Sequence, residues 1–343
     1  MTLAIVPFTA DHFDAAAALL AARHRADRAW APDLSARYED CTAAASELRD
    51  LLAEEGMAGV AALRNGGLVG FLLGKRELSH PTSAWAGMMR PRSAEIPYAG
   101  WAAEPEQAAM VYPQLYAALA ERWVAGGVTA HYVTVPLNRE TADVWLDLGF
   151  GRFIEMGVRD TEPVAWSKAG GSIDIEVRRA GPDDEEAVQT LLTEMLRAWS
   201  DPPTFVPFLP ETEAARRQFT AVLLADPACP HWLALVDGRV MGMQVFTEPA
   251  SAHWNVSKLQ SPEDAVYLFL ASTMPGARGT GVGSALLAQT MAWARGTGYE
   301  RCAAHFVTST LAAVFWRARG FSPVSHWLCH VVDERAVWAD GRT

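Results

Sequence analysis

The residues with the clearest chemical potential are Arg278-Gly279-Thr280-Gly281-Val282-Gly283. They follow Asp264 to Thr273, an apolar run that reads as a strand buried on both faces. Pro275 and Gly276 then break the ladder, and Ser284 to Arg295 reads as a helix. A glycine-rich turn feeding a helix leaves several backbone N–H groups unpaired and pointing one way, at the positive end of the helix dipole. Gly279, Gly281 and Gly283 let that backbone approach an anion with no Cβ between. The predicted chemistry is a diphosphate cradle. A P-loop would need a lysine before Ser284, and none is there. A dinucleotide fingerprint would need the turn at the first strand of a βαβ unit, whereas this one comes late and Glu300 starts no such pair.

The elements that position this turn occur twice. Ala62 to Phe71 resembles Ala234 to Met243, 172 residues further on, and each reads as a hairpin around Asn65-Gly66 or Asp237-Gly238. Leu3 to Val6 and Ile173 to Val177 are matching strands, each followed by an amphipathic helix, Asp11 to Ala22 and Asp183 to Trp199. His131-Tyr132-Val133-Thr134 pairs with His305-Phe306-Val307-Thr308, and Trp145 to Phe150 pairs with Trp316 to Phe321. The predicted fold is α/β, with two tandem domains, each a mixed, mostly antiparallel sheet flanked by helices. The domains are expected at 1–160 and 173–343, joined by a linker at 161–172 that lacks periodicity and contains Gly170-Gly171.

A chain of 343 residues, half hydrophobic and a fifth charged, can bury two cores. Its net charge of −11 argues against a nucleic-acid partner and is compatible with a cationic one. Cys41, Cys229, Cys302 and Cys329 stand far apart with no CxxC pair, so no metal site is expected and the thiols suit a reducing compartment. No signal peptide or membrane-length apolar run is visible, which predicts a cytoplasmic protein.

Arg278-x-x-Gly281-x-Gly283 with Pro275 before it and Ser284-Ala285-Leu286-Leu287 after it resembles the acyl-CoA pyrophosphate motif of the GNAT N-acetyltransferases. Gly320-Phe321 and the opening Val177 to Asp184 extend the resemblance over most of residues 173–330. It implies acetyl-CoA as co-substrate, with the diphosphate held by amides of Arg278, Gly279, Thr280, Gly281, Val282, Gly283 and Ser284. The pantetheine arm would lie along the splayed strand end at Ala271, Ser272 and Thr273. A small-molecule primary amine would attack the acetyl carbonyl directly.

The sequence departs from that family where protons move. The family's frequent Asn and Tyr correspond to Ser309 and Trp316, and an indole is no practical acid at neutral pH. Trp316 therefore reads as a packing surface for the pantetheine arm. The position of a catalytic Glu in some members holds Tyr267, a proton relay or a pocket wall. His305 is a candidate base or a core histidine bonded to a backbone carbonyl. Glu248, Glu263 and Asp264 are candidate amine-binding carboxylates or surface positions, and Ala198 to Pro210 reads as a stiff apolar loop over the cleft.

At the repeat offset Arg278 falls near Glu106, within a segment that has no glycine cluster and two carboxylates. The N-terminal copy thus reads as degenerate, packing in pseudo-dimer fashion within a monomer or homodimer. The functional expectation is an N-acetyltransferase, with mycothiol-synthase-like, antibiotic and polyamine acceptors all open. The alternatives are an acyl-CoA sensor or scaffold without turnover, and an interaction protein whose glycine turn is only structural.

Overall fold

The computed structural model describes residues 3–163, 174–248 and 262–337. Both expected hairpins form: Asn65 and Gly66 adopt φ of 53° and 83°, and Asp237 and Gly238 adopt 50° and 74°. Two successive positive φ values match the right-handed twist of the flanking strands, which is why Asn-Gly and Asp-Gly close them. Most of the proposed linker, residues 164–172, lies outside the described residues, as does Ile173 at the start of its predicted strand.

The N-terminal repeat runs β1 (Leu3–Pro7), α1 (Phe13–Trp30), α2 (Cys41–Ala53), β2 (Met57–Arg64), β3 (Gly67–Leu78), β4 (Arg92–Ile96), β5 (Trp101–Ala103), α3 (Ala108–Ala125), β6 (Ala130–Pro136), α4 (Arg139–Asp147) and β7 (Gly151–Asp160). The C-terminal repeat runs β8 (Ile175–Arg179), α5 (Glu185–Ser200), α6 (Glu213–Ala225), β9 (His231–Val236), β10 (Arg239–Thr247), β11 (Ala265–Thr273), α7 (Val282–Thr297), β12 (Arg301–Val307), α8 (Leu311–Ala318) and β13 (Ser322–Val331). The first helix of each repeat starts two residues later than its periodicity suggests, because a single 3₁₀ turn precedes it at Ala10–His12 and Pro182–Asp184. Duplication is visible in the pairing itself. Leu3 faces Arg64 as Ile175 faces Val236, and Ala16, Leu20 and Arg23 are buried on α1 as Val188, Leu192 and Met195 are on α5.

The two sheets are one. Strand order is β1-β2-β3-β4-β6-β13-β7-β12-β11-β10-β9-β8, with β5 beside β3. Read from either end, this order is the same under exchange of the repeats. The closing strand of each repeat pairs with the penultimate strand of the other: β13 lies against β6, and β7 against β12. The two closing strands pair with each other at the centre. Among the described strands, β4–β6 and β11–β12 run parallel and the other pairs are antiparallel. No helix of the described residues is long and apolar enough to cross a membrane.

Glu155 of β7, buried at 1% exposure, faces His326 of β13 and Arg317 of α8 across this centre. Arg317 Nε donates to Oε1 at 2.8 Å, Arg317 Nη2 donates to Oε2, and His326 Nε2 lies 3.2 Å from Oε2. Burial alone would raise the carboxyl pKa, but the hydrogen bonds from His326 and Arg317 outweigh it and bring it down to about 2. A folded-state pKa below the unfolded value makes this contribution full above the ordinary value of 4.5, and it is lost as pH falls through about 2. Glu155→Gln is therefore expected to cost ~2–3 kcal/mol at neutral pH. Its melting temperature should converge with that of the wild type as pH drops through that window. Thermal melts across the range check this, and a constant gap would refute the assignment.

Candidate functional site

The site begins where β11 leaves β12. The two strands pair in parallel over Ala265–Leu268, while β11 continues against β10 as far as Thr273. Just past this point the register with β10 shifts between Val245 and Phe246, leaving Phe269 of β11 as the extra residue of a bulge, a feature that bends the strand carrying it. Accordingly the first four residues of β11 are buried and the last five are half-buried. Past Leu268 the β12-facing backbone groups of β11 look into a cleft of about 1400 Å³.

The glycine turn lies at the head of that cleft. Gly279 and Gly281 adopt φ of 79° and 101°, a left-handed conformation that Gly accepts without strain. Gly281 is the N-cap of α7 and makes no side-chain cap hydrogen bond, so the first-turn amides stay directed at the cleft. The helix begins at Val282, two residues earlier than its sequence pattern implies, so Val282, Gly283 and Ser284 form its first turn. Gly242 of β10 lets this helix approach: a Cβ there would meet Val282 Cγ1 at 2.7 Å.

The expected site residues come together, with differences in role. Ala271, Ser272, Thr273, Ser309 and Trp316 line the same cleft as the turn from Arg278 to Ser284. The Ser272 hydroxyl donates to the Leu191 carbonyl, so its backbone is what the cleft can use. The Ser284 hydroxyl is likewise occupied, accepting from Arg319 Nη2 at 2.8 Å. Arg319 also lines the cleft, over the Phe315 ring. It supplies a second cation beside Arg278 that no motif spacing pointed to, because its place comes from the packing of α8. The exposed Ser309 hydroxyl shares a 3.0 Å hydrogen bond with Thr204. Thr204 belongs to the loop after α5, which lines the cleft with Asp201, Pro202 and Pro203. Trp316 packs between Phe315 and Phe321 with its edge on the cleft.

Deeper in, a second cavity of about 130 Å³ opens from the cleft past Ala271, Thr310, Ala312 and Trp316. Tyr267 and His305 form its polar floor. Tyr267 Oη and His305 Nδ1 are 2.6 Å apart, so the histidine's partner is this hydroxyl rather than a backbone carbonyl. Burial pushes the Tyr267 hydroxyl well above its ordinary range and pulls His305 down to about 4, so both are neutral near pH 7. The N-terminal repeat supplies one wall through Trp85, Met88 and Met156, which a reading of either repeat alone would miss. The candidate carboxylates do not line this cavity: Glu248 is exposed, Glu263 accepts from Ser35 of the other repeat, and Asp264 accepts backbone N–H groups of Glu300 and Arg301 through its carbonyl. Each sits at the opposite end of the β11 ladder from the splay.

The corresponding place in the N-terminal repeat is filled. Pairing with β3 puts Trp101 where pairing with β10 puts Ala271. The Trp101 indole, fully buried, donates to the Thr134 carbonyl at 3.1 Å and packs on Tyr112 and Trp145. Val111 sits against Gly70 as Val282 sits against Gly242, so Tyr112 stands in the place of Gly283. Arg23, at the position of Met195, donates to the carbonyls of Tyr98 and Trp101 and pairs with Asp27 at 3.2 Å. Trp101→Ala is expected to cost about 3–5 kcal/mol in a denaturant titration. The variant should gain no anion site in this repeat, because the glycine turn is missing there, and calorimetry in which it bound one more equivalent of inorganic pyrophosphate than the wild type would contradict this account.

Residues 193–321 match the model of the acetyltransferase (GNAT) family. No curated protein matches the sequence. Among solved structures, a GCN5-related N-acetyltransferase from Sphaerobacter thermophilus is 15% identical, with 96% of this chain and 95% of that one covered and a TM-score of 0.57. The glucosamine N-acetyltransferase region of a fungal multi-domain GH3 beta-N-acetylglucosaminidase is 14% identical at a TM-score of 0.58, covering 96% of this chain and 38% of that larger protein. A tandem GNAT protein from the clavulanic acid biosynthesis pathway is 16% identical at a TM-score of 0.51, covering 97% of this chain and 99% of that one. At these identities the likeness is one of fold.

Proposed function

We propose that the protein transfers an acetyl group from acetyl-CoA to a primary amine of a small molecule, a reading supported by the match of residues 193–321 to the acetyltransferase (GNAT) family and by the likeness in fold to a tandem GNAT protein. The reaction is assigned to the C-terminal repeat, residues 173–343. The observation that carries this reading is the union, in one cleft, of an uncapped glycine turn at the α7 N-terminus and the parted end of β11. The first binds a diphosphate through amides and helix dipole, with Arg278 and Arg319 as flanking cations. The second offers strand backbone to the amide-bearing pantetheine arm, as an edge strand offers it to a peptide.

In this reading the acceptor nitrogen attacks the thioester carbonyl from the inner cavity, and holding the two reactants in line supplies much of the rate. With Nδ1 bonded to the Tyr267 oxygen, His305 turns Nε2 toward the acceptor and takes the proton that nitrogen loses. No side chain at the Trp316 position can protonate the leaving thiolate, so water delivers that proton. The same observation favours the second reading, an acyl-CoA sensor, which predicts binding without release of thiol.

Gly283→Asp separates binding from folding. Its Cβ would meet Phe315 at 3.4 Å, an ordinary contact, and an acidic residue in the first turn suits the helix dipole. The melting temperature should hold or rise while affinity for acetyl-CoA falls at least ~100-fold through repulsion of the diphosphate. Calorimetry showing unchanged affinity would remove the cradle from the proposal. Tyr267→Phe should lower kcat about tenfold with KM little changed, because it removes the group that orients His305. Steady-state assays of CoA thiol release check this, and an unaltered kcat would leave the pair a structural floor.

A further inference from the structure

This inference rests on the acetyl-transfer reading above and concerns the acceptor. The inner cavity is walled by Trp85, Trp199 and Trp327 together with Met88, Met156 and Met195. Its polar atoms come from the neutral Tyr267–His305 pair and from hydroxyls such as those of Thr310 and Ser325. Among the described residues no carboxylate lines it. Glu155 stands between Ile154 and Met156, which face the cavity, and alternation along β7 sends it to the opposite face, where Arg317 and His326 hold it.

A protonated alkylamine would lose its hydration here without a counter-charge, which is strongly unfavourable. It would also have to give its proton to His305, whose pKa lies near 4, from an ammonium whose own is about 10.4, a transfer uphill by roughly six orders of magnitude. A nitrogen that is already neutral at pH 7 avoids both costs. Indole faces and thioethers are suited to flat rings, and the volume of about 130 Å³ is close to that of apolar cavities of ~150 Å³ that take up benzene.

We propose that the acceptor is a flat aromatic amine whose weakly basic nitrogen enters the cavity uncharged. Its nitrogen lone pair forms the N–C bond to the acetyl carbonyl as the C–S bond breaks. One N–H proton is lost to His305 or water, sulfur leaves as thiolate and takes up a proton, and the products are an N-aryl acetamide and free CoA.

The test uses the full chain with saturating acetyl-CoA and matched amine pairs, an aromatic amine against its saturated ring counterpart, plus a polyamine, with thiol release as readout. The aromatic member is expected to have at least ~100-fold higher kcat/KM near neutral pH, flat from about pH 6 to 8. The saturated partner should gain about tenfold per pH unit, because only its neutral fraction reacts. Met88→Glu, at a half-buried wall position that can take a carboxylate without unfolding, should reverse the preference between the paired amines. A wild-type preference for the saturated amine or the polyamine would overturn the proposal while leaving acetyl transfer intact. So would a kcat/KM that rises with acyl-chain length while the aromatic amine merely competes, since that assigns the cavity to the acyl chain. Loss of the underlying reading is separately visible as no heat on titration with acetyl-CoA.

Discussion

The pairing of β7 with β13 at the centre of the sheet is the constraint on which the rest of the molecule depends. Each closing strand hydrogen-bonds to the other and to the penultimate strand of the opposite repeat. Separating the repeats would therefore strip backbone partners from four strands at once, a loss no single surface contact could offset. The buried Glu155 carboxylate sits on this seam and ties β7 to both β13 and α8. Since α8 carries Trp316 and the helix end carries Arg319, the seam also sets one side of the cleft.

The same seam explains why the repeat without a glycine turn lines the inner cavity. Trp85, Met88 and Met156 of the N-terminal repeat wall the inner cavity, while Trp327 arrives on the C-terminal strand that has crossed over. The two repeats use one scaffold toward opposite ends. In the C-terminal copy Ala271, Gly283 and Met195 leave room along the parted strand. In the N-terminal copy Trp101, Tyr112 and Arg23 occupy the equivalent volume and satisfy the carbonyls a ligand would otherwise meet. Filling that place with an aromatic cluster makes core of what is an open cleft in the other copy, because interior packing leaves few voids.

Much of this was legible in the amino-acid order. Asn65-Gly66 and Asp237-Gly238 announced the hairpins, and their recurrence announced the duplication, since positive φ at two successive residues is a local demand. The glycine turn announced its left-handed residues and the helix start for the same reason: its amides and φ values belong to six consecutive residues and the helix that follows. What spacing missed was everything set by packing between distant segments. Arg319 reaches Ser284 across 35 residues, Ser35 engages Glu263 across 228, and the wall residues come from a different repeat.

The sequence by itself thus determined the duplicated framework, the single glycine turn and the loss of that turn from the first copy, because each depends on backbone preferences and patterns within one short segment. Only the tertiary structure decided that the closing strands cross between repeats, that Tyr267 partners His305, and that Glu248, Glu263 and Asp264 stand away from the inner cavity. Those outcomes depend on which groups share a buried space, and burial is a property of the whole fold. Side chains of the same type become an anion, a neutral pair or solvated surface according to what surrounds them.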